Sequence, residues 1–214
     1  HLENTAPRAM AVLKPLKVVI TNVGDEILTL TSACHPNLPD LGTREIPFTQ
    51  EIFIDAADFS EDPPKGFKRL VLGGEVRLRH SYVIRCDEVL KNAAGEVIEL
   101  RCSADLNTLG KNPEGRKVKG VIQWVSASAG VQAEVRLYDR LFTLPNPESG
   151  DDLLASLNPD AFQTLQAWVE PGLASAKPED HFQFEREGYF VADLVDCVNG
   201  KLVFNKTVGL RDSW

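Results

Sequence analysis

The sequence has few of the residues that build metal centres. Its four cysteines are Cys34, Cys86, Cys102 and Cys197, and none belongs to a C-x-x-C pair. The four histidines stand apart from one another in the sequence. Zinc sites draw on cysteine and histidine ligands at short, regular spacings. We therefore predict no metal site, and we expect reduced thiols of the kind found in cytoplasmic proteins.

Motifs of common enzymes are absent as well. The chain contains no G-x-S-x-G elbow, no phosphate-binding P-loop and no H-E-x-x-H pair. We also find no apolar run of membrane length and no signal peptide. The sequence opens on His1, and its only methionine is Met10. These observations predict a cytoplasmic piece of a longer protein, without a catalytic site or a membrane partner.

Long helical periodicity is also scarce, whereas alternation of period two is frequent. Such alternation is typical of half-buried strands. The strands predicted in this way are 17–22, 26–31, 51–54, 75–83, 97–102, 120–125, 131–141, 181–194 and 202–208. Only 55–59 and 151–157 carry weak helix signals. The pattern predicts an all-β fold.

Glycine, proline and asparagine mark the turns and linkers between these strands. The polar stretch 111–117 divides the chain near its midpoint, and 145–152 is a second loose stretch. Asn199-Gly200 is a hairpin signal that joins 191–198 to 202–208, because both residue types accept positive φ angles. A length of 214 residues suits one large all-β domain or two small ones.

Positive charge is concentrated in one segment of an acidic chain. The formal net charge is −8, yet residues 65–80 carry five lysines and arginines against the single acid Glu75. In a strand here, Val76 and Leu78 would face one side, and Arg77 and Arg79 the other. Such a basic face can neutralise phosphates and read unpaired bases. A merely solvated strand face is the other interpretation.

A second segment, residues 181–190, mixes aromatic and charged side chains on one strand face. Phe182, Phe184 and Arg186 share one parity. Two interpretations stay open at this point. The aromatic rings form a stacking platform for bases, or they are buried and leave the arginine exposed.

These segments, in their order along the chain, resemble the C-terminal region of bacterial glutaminyl-tRNA synthetases. The matching stretches are 6–12, 35–37, 68–73, 75–79, 115–122, 136–142, 182–190 and 207–212. The resemblance implies two consecutive β-barrels. It places 1–116 plus 203–214 in the barrel proximal to the catalytic core and 117–202 in the distal barrel, with the last strand returning to the proximal one. It also implies a monomer that lacks the Rossmann domain, so that ATP, Mg²⁺ and glutamine would bind elsewhere in the parent ligase.

The resemblance further implies which residues contact the anticodon of glutamine tRNA. Arg8, Gln183 and Arg186 match contacts to the middle base, and Lys68 and Arg69 match contacts near the third. Arg77 and Arg79 match contacts near the first base and its phosphate. Asn37 and Ser213 match further polar contacts around the loop. We expect these side chains to converge on one pocket for splayed-out nucleotides.

Three other functions remain open. Several stretches are shared with related glutamyl-tRNA synthetases, so the equivalent region of such an enzyme is one alternative. A single ribosomal-RNA-binding β-barrel protein is a second, although this chain is long enough for two barrels. The abundance of acids leaves a β-barrel hydrolase with a carboxylate pair as the third.

Overall fold

The structure is a computed structural model that describes residues 1–146 and 153–210, and over these residues it is an all-β protein without an α-helix. The strands are β1 (Arg8–Ala9), β2 (Ala11–Val12), β3 (Pro15–Ile20), β4 (Leu28–Ala33), β5 (Thr43–Phe48), β6 (Glu51–Asp55), β7 (Glu75–Leu78), β8 (Val83–Lys91), β9 (Val97–Asp105), β10 (Val121–Ile122), β11 (Trp124–Ser126), β12 (Val131–Tyr138), β13 (Phe162–Val169), β14 (His181–Phe184), β15 (Gly188–Ala192) and β16 (Val203–Val208). Short 3₁₀ turns occupy Leu2–Asn4, Pro39–Leu41, Ala56–Asp58, Leu106–Thr108, Leu154–Ser156 and Pro171–Ser175.

Fourteen of these strands form two seven-stranded, barrel-like sheets. The first barrel has the order β10-β7-β8-β9-β3-β6-β11. The second barrel has the order β1-β14-β15-β16-β12-β13-β2. The remaining strands, β4 and β5, form a separate two-stranded ribbon. The predicted all-β architecture with two barrels is therefore confirmed.

Each barrel is brought close to closure by a strand pair that bends at one buried residue. In the second barrel β1 and β2 lie at opposite ends of the sheet order, and they flank Met10. In the first barrel β10 and β11 do the same around Gln123. Met10 and Gln123 are both fully buried. A bend at one position lets consecutive residues pair with both edges of a sheet and so removes the exposed edges.

The segment around Met10 also separates the two hydrophobic cores. Met10 and Val12 belong to the core of the first barrel, whereas Ala9, Ala11 and Leu13 belong to the core of the second. This division follows from the alternation of side chains along an extended chain. One short run of apolar residues therefore packs on both barrels at once.

Aromatic side chains join the ribbon and the two barrels. Phe48 of the ribbon packs edge-on against Trp124 of the first barrel, with ring centroids 5.4 Å apart. Phe53 of β6 meets Trp168 of β13 across the barrels, at 4.8 Å. Large rings bury much apolar area at low entropic cost, so these contacts fix the ribbon and the barrels against each other.

The strand pairing differs from the division of the chain that the resemblance implies. The predicted division assigns 203–214 to one barrel with 1–116, apart from 117–202. In the structure, β16 pairs antiparallel with β15 and parallel with β12, so it shares a sheet with strands of the 117–202 segment. The physical reason is local. Asn199 and Gly200, at φ 55° and 80°, form a turn within the connection 193–202, which joins the neighbouring strands β15 and β16. The predicted strand over 191–198 ends at Ala192.

Two long predicted strands are interrupted by tight turns. The segment 75–83 stops at Leu78, because His80 adopts φ 61°, and the chain then enters β8. The segment 181–194 is a hairpin of β14 and β15, with Arg186 at φ 69°. Alternation continues through both turns and conceals them. The strands that were not predicted are β1, β2, β5, β13 and all of β8 beyond its first residue. The weak helix signal at 55–59 corresponds to the 3₁₀ turn Ala56–Asp58.

Gly120 offers a test of the close packing beside the basic segment. A Cβ atom built at Gly120 would lie 1.9 Å from the carbonyl oxygen of Lys68, so Gly120→Ala must displace backbone. We expect a loss of about 2–4 kcal/mol in the free energy of unfolding, measured by urea denaturation. The matched control is Gly24→Ala, where a Cβ atom meets nothing within 4 Å. Equal stabilities of the two variants would contradict this account of β10.

Candidate nucleic-acid interface

The predicted residues Arg69 and Arg186 meet on one buried carboxylate, that of Asp58. Arg186 donates from Nη1 and Nη2 to the two oxygens of Asp58, at 2.9 and 2.8 Å. Arg69 places Nε 3.1 Å from the same carboxylate and donates from Nη1 to the carbonyl of Ala57. Asp58 is only 1% exposed. Arg186 comes from the second barrel, and Asp58 and Arg69 from the first.

Glu185, the residue before Arg186, collects a second group of cations. Its carboxylate accepts from Nη2 of Arg44 at 2.6 Å and lies 2.9 Å from Nη1 of Arg79. His80 approaches it at 3.5 Å. We call the set Asp58, Arg69, Arg79, Glu185 and Arg186 the seam. Asp58 and Arg69 lie between β6 and β7 and Arg79 follows β7 in the first barrel. Glu185 and Arg186 form the turn between β14 and β15 in the second barrel.

Glu185 of the seam and Glu170, which shares Arg44 with it, respond differently to burial. Burial alone would raise the pKa of Glu185, but hydrogen bonding to His80 and the charges of Arg79 and Arg44 outweigh it and lower that pKa. Glu170, which accepts Nε of Arg44 and the Met10 amide, has its pKa raised to about 7 by burial, against the charge of Arg44. One guanidinium therefore serves two carboxylates, and Glu185 holds its negative charge more firmly.

The pKa of Arg186 also reflects its partner. Burial alone would lower this pKa, and the Asp58 carboxylate more than offsets that effect, so the pKa is raised above its ordinary value. The guanidinium is thus a permanent cation whose orientation is fixed by a bidentate contact.

A cleft beside the seam contains further predicted residues. This ribbon cleft has a volume of about 310 Å³. Its lining comprises Arg8, Ser32, Ala33, Pro36, Arg44, Arg79, His80 and Glu185. Arg8 pairs in the sheet with Gln183 and holds Glu3 through Nη2 at 2.9 Å. Gln183 is 5% exposed, and its Oε1 has no hydrogen-bond partner within the described residues.

Lys68 and Arg69 line a second and larger cleft of about 490 Å³, which we call the basic cleft. Its other cations are Arg85, Arg116, Lys117 and Lys119. Arg116 is held by Glu75 at 2.9 Å and by Asp105 at 2.6 Å. The basic cleft brings Lys68 and Arg69 of the basic segment 65–80 together with the cations of 115–120. Polyanions are attracted to such a surface even when the whole protein is acidic.

Arg77 has a different environment from the other predicted residues. Its guanidinium donates to the carbonyl oxygens of Ser81, Thr108 and Lys111, at 2.9, 3.0 and 2.6 Å. It therefore braces the loops that follow β7 and β9. Its role in RNA binding stays a prediction that these contacts do not test.

The two remaining predicted residues, Asn37 and Ser213, are not part of the seam. Asn37 is exposed next to Pro36 of the ribbon cleft, and its backbone N–H donates to Nδ1 of His35. Ser213 lies outside the described residues. The structure thus brings Arg8, Arg79 and Gln183 near one cleft and Arg69 and Arg186 onto one carboxylate, and Lys68 borders the basic cleft.

The aromatic residues of 181–190 settle the choice left open by the sequence. Phe184 is fully buried and stacks on Phe190, with centroids 4.3 Å apart. Phe182 packs edge-on against Phe204 at 5.9 Å. Phe184 and Phe190 belong to the core of the second barrel and the half-buried Phe182 packs against that core, so these rings do not form an open stacking platform.

Sequence reasoning missed the acids that organise the site, Asp58 and Glu185, and the arginine Arg44. Glu185 stands beside Arg186 within a matching stretch, so its position carried a signal. Asp58 and Arg44 gave none, because their partners in the second barrel, Arg186 and Glu185, lie 128 and 141 residues away in the sequence. Across residues 1–146 and 153–210, no helix is long and apolar enough to cross a membrane.

Comparison with known families gives the class of this protein. Two family models, both described as "tRNA synthetases class I (E and Q), anti-codon binding domain", match residues 6–105 and 121–193. Together they cover every strand of the two barrels except β16. The chain belongs to this family of anticodon-binding domains, and the resemblance inferred from the sequence is confirmed.

The more particular likeness is to glutamine–tRNA ligases. The chain is 61% identical to the glutamine–tRNA ligase of Pseudomonas aeruginosa (strain LESB58) and 62% identical to that of Ectopseudomonas mendocina (strain ymp). It is 58% identical to the ligase of the same name from Azotobacter vinelandii (strain DJ / ATCC BAA-1303). Each match covers 100% of this chain and 39% of the relative. The chain therefore spans well under half the length of these ligases.

Glu185→Gln tests the electrostatics of the seam. At about pH 7 we expect a loss of about 3 kcal/mol in the free energy of unfolding, because the largely buried Arg44 loses an anionic partner. The pKa of Glu185 is lowered, so its contribution is present above the ordinary glutamate pKa of about 4.3 and is lost as the pH falls through the lowered value. The deficit of the variant should therefore shrink on acidification.

Urea denaturation of both proteins at about pH 7 and about pH 3.5 measures this change. Glu45→Gln removes the same charge from an exposed position beside Arg44 and serves as the control, with an expected change within about 0.5 kcal/mol. A deficit of equal size at both pH values would show that Glu185 acts through packing and not through its charge.

Proposed function

We propose that this chain recognises the anticodon loop of glutamine tRNA as the anticodon-binding part of a glutamine–tRNA ligase. The observation that carries the proposal is the grouping of Arg8, Arg69, Arg79 and Arg186 along the seam and its clefts in a chain of net charge −8. Unpaired anticodon bases expose their Watson–Crick edges, and proteins read RNA chiefly at such sites. Guanidinium and amide groups present the donors that this reading requires.

The acids beside these arginines support the proposal in two different ways. Glu3 is 62% exposed in its pair with Arg8, whose own side chain is 15% exposed, so this carboxylate can turn toward water when RNA approaches. Asp58 and Glu185 are buried and orient their arginines. Fixed guanidinium groups lose less entropy when they bind, and this improves both affinity and discrimination.

The chain itself is proposed to perform no catalysis. ATP, Mg²⁺ and glutamine would bind in the part of the ligase that this chain does not include, and the domain would supply tRNA selection in the cytoplasm as part of a monomer. Glu170 and Glu185 are two buried carboxylates that share the guanidinium of Arg44. Ion pairs with one shared arginine stabilise the fold and do not give the two carboxylates the separate acid and base roles that hydrolysis requires.

A glutamate-specific parent is the second candidate, because the matching family description covers E and Q together. The three relatives described above, all named glutamine–tRNA ligase, favour glutamine. Aminoacylation by the longer enzyme that carries this domain decides between them. Charging of glutamine tRNA with glutamine supports the proposal, and charging with glutamate alone would overturn it.

Arg186→Ala tests RNA recognition directly. Loss of one base-reading contact should cost about 1–3 kcal/mol, so we expect about 5- to 150-fold weaker binding of a glutamine anticodon stem-loop, measured by fluorescence anisotropy. Binding should also weaken with added salt, as phosphate contacts require.

Arg140→Ala is the matched control. Arg140 is exposed beyond the end of β12, and this variant loses the same charge. We expect less than about a twofold change, since a single distant charge contributes only through screened electrostatics. For a stem-loop with a changed anticodon, the difference in affinity between wild type and Arg186→Ala should be smaller. Equal losses for both variants and both loops would point to unspecific charge attraction and would reject the site.

A further inference from the structure

The contact between Asp58 and its two arginines is built from both barrels. The 3₁₀ turn that carries Asp58 is joined to the Arg69 segment through the main chain, because the Leu70 amide donates to the Asp58 carbonyl at 2.9 Å. The neighbouring residues Phe59 and Leu70 form a β-bridge. Asp58 and Arg69 therefore hold a fixed spacing within the first barrel.

Arg186 reaches this pair from a rigid hairpin tip of the second barrel. The residues on either side are both held, Glu185 by Arg44 and Arg79, and Glu187 by Gln123, whose Nε2 donates to it at 3.1 Å. Arg186 itself adopts φ 69°, a conformation that a non-glycine residue keeps only where its surroundings enforce it. The backbone conformation of the hairpin tip and the opposite charges therefore both place the Arg186 guanidinium against Asp58.

The three side chains differ in their exposed fractions, because the acid is buried and the two arginines reach the surface. The Asp58 side chain is 2% exposed, whereas those of Arg186 and Arg69 are 23% and 42% exposed. The acid lies beneath the two cations, so a ligand at the surface meets guanidinium groups and not the carboxylate. Within the described residues, each guanidinium also keeps N–H donors beyond those spent on Asp58 and Ala57.

We propose that Asp58 is a positioning residue that makes Arg69 and Arg186 one recognition unit for neighbouring unpaired nucleotides of the RNA. Two guanidinium groups this close would repel each other without the shared carboxylate, and with it they keep a net positive charge and a fixed geometry. The inference rests on the proposed function and adds an energetic coupling between residues of the two barrels.

The decisive variant is Asp58→Asn, because two explanations predict opposite signs. Removal of a negative charge should strengthen the attraction of the chain for RNA if only net charge matters. Loss of the shared carboxylate should instead weaken binding of a glutamine anticodon stem-loop about tenfold, because both arginines lose their orientation. Asp196→Asn is the matched control, since Asp196 pairs with the single arginine Arg136 and the variant changes the charge equally.

A double-mutant cycle keeps the test valid if Asp58→Asn fails to fold. Arg69→Gln and Arg186→Gln each leave an N–H donor for Asp58, and thermal denaturation confirms that each variant is folded. With Asp58 present, the double variant should lose little more affinity than the weaker-binding single variant, because the two groups act as a unit. In a folded Asp58→Asn background the two losses should multiply.

The possible results separate the claims. Tighter or unchanged binding by folded Asp58→Asn, or multiplicative losses with Asp58 present, would overturn the coupling and leave the proposed function intact. If the wild-type chain bound no anticodon stem-loop, the proposed function and this inference would both fall. Weaker binding by Asp58→Asn with unchanged binding by Asp196→Asn supports the positioning role.

Discussion

Asp58 and Glu185 are carboxylates that the fold removes from water, and each is paired with at least one arginine from outside its own barrel. Asp58 of the first barrel holds Arg186 of the second, and Glu185 of the second holds Arg79 and Arg44. Burying such charges costs several kcal/mol per ion unless the partners are well placed. The barrels can therefore satisfy both acids only in one relative arrangement. The clefts beside the seam take their shape from that requirement.

The same arrangement explains how an acidic chain can present a basic surface. Net charge describes the molecule from a distance, but at physiological ionic strength exposed charges act over about 8 Å. Within that range the basic cleft is lined by Lys68, Arg69 and the cations of 115–120. The acid that balances Arg69 and Arg186 lies beneath them. Local order of charge, and not its total, decides what this surface attracts.

The sequence was informative wherever a local rule governed the structure. Period-two alternation identified most strands, and the Asn199-Gly200 turn correctly implied that β15 and β16 are neighbours. The division of the chain implied by the resemblance contradicted that local signal, and the local signal was right. Turns at His80 and Arg186 stayed hidden, because positive φ at these residues is imposed by tertiary contacts.

The candidate site was only partly accessible from sequence. Several predicted cations meet along the seam, but the acids that orient them are found through contacts between residues more than a hundred positions apart. No periodicity reports such a pairing. A resemblance transfers the groups that touch a ligand more readily than the groups that support them, because recognition motifs draw attention to the former. The roles of Asp58, Glu185 and Arg44 in orienting the cations could be recognised only from the contacts in the structure.

The bend at Met10 has a consequence for the order of folding. The first barrel is made of strands between Pro15 and Ser126, so it can form from one uninterrupted stretch of chain. The second barrel needs β1 and β2 at its two edges together with β12–β16, and it must wait for residues near 208. Contacts of such long sequence separation form slowly. During synthesis the first barrel can therefore act as the template on which the later strands assemble, and Ala9, Ala11 and Leu13 stay uncovered until those strands arrive.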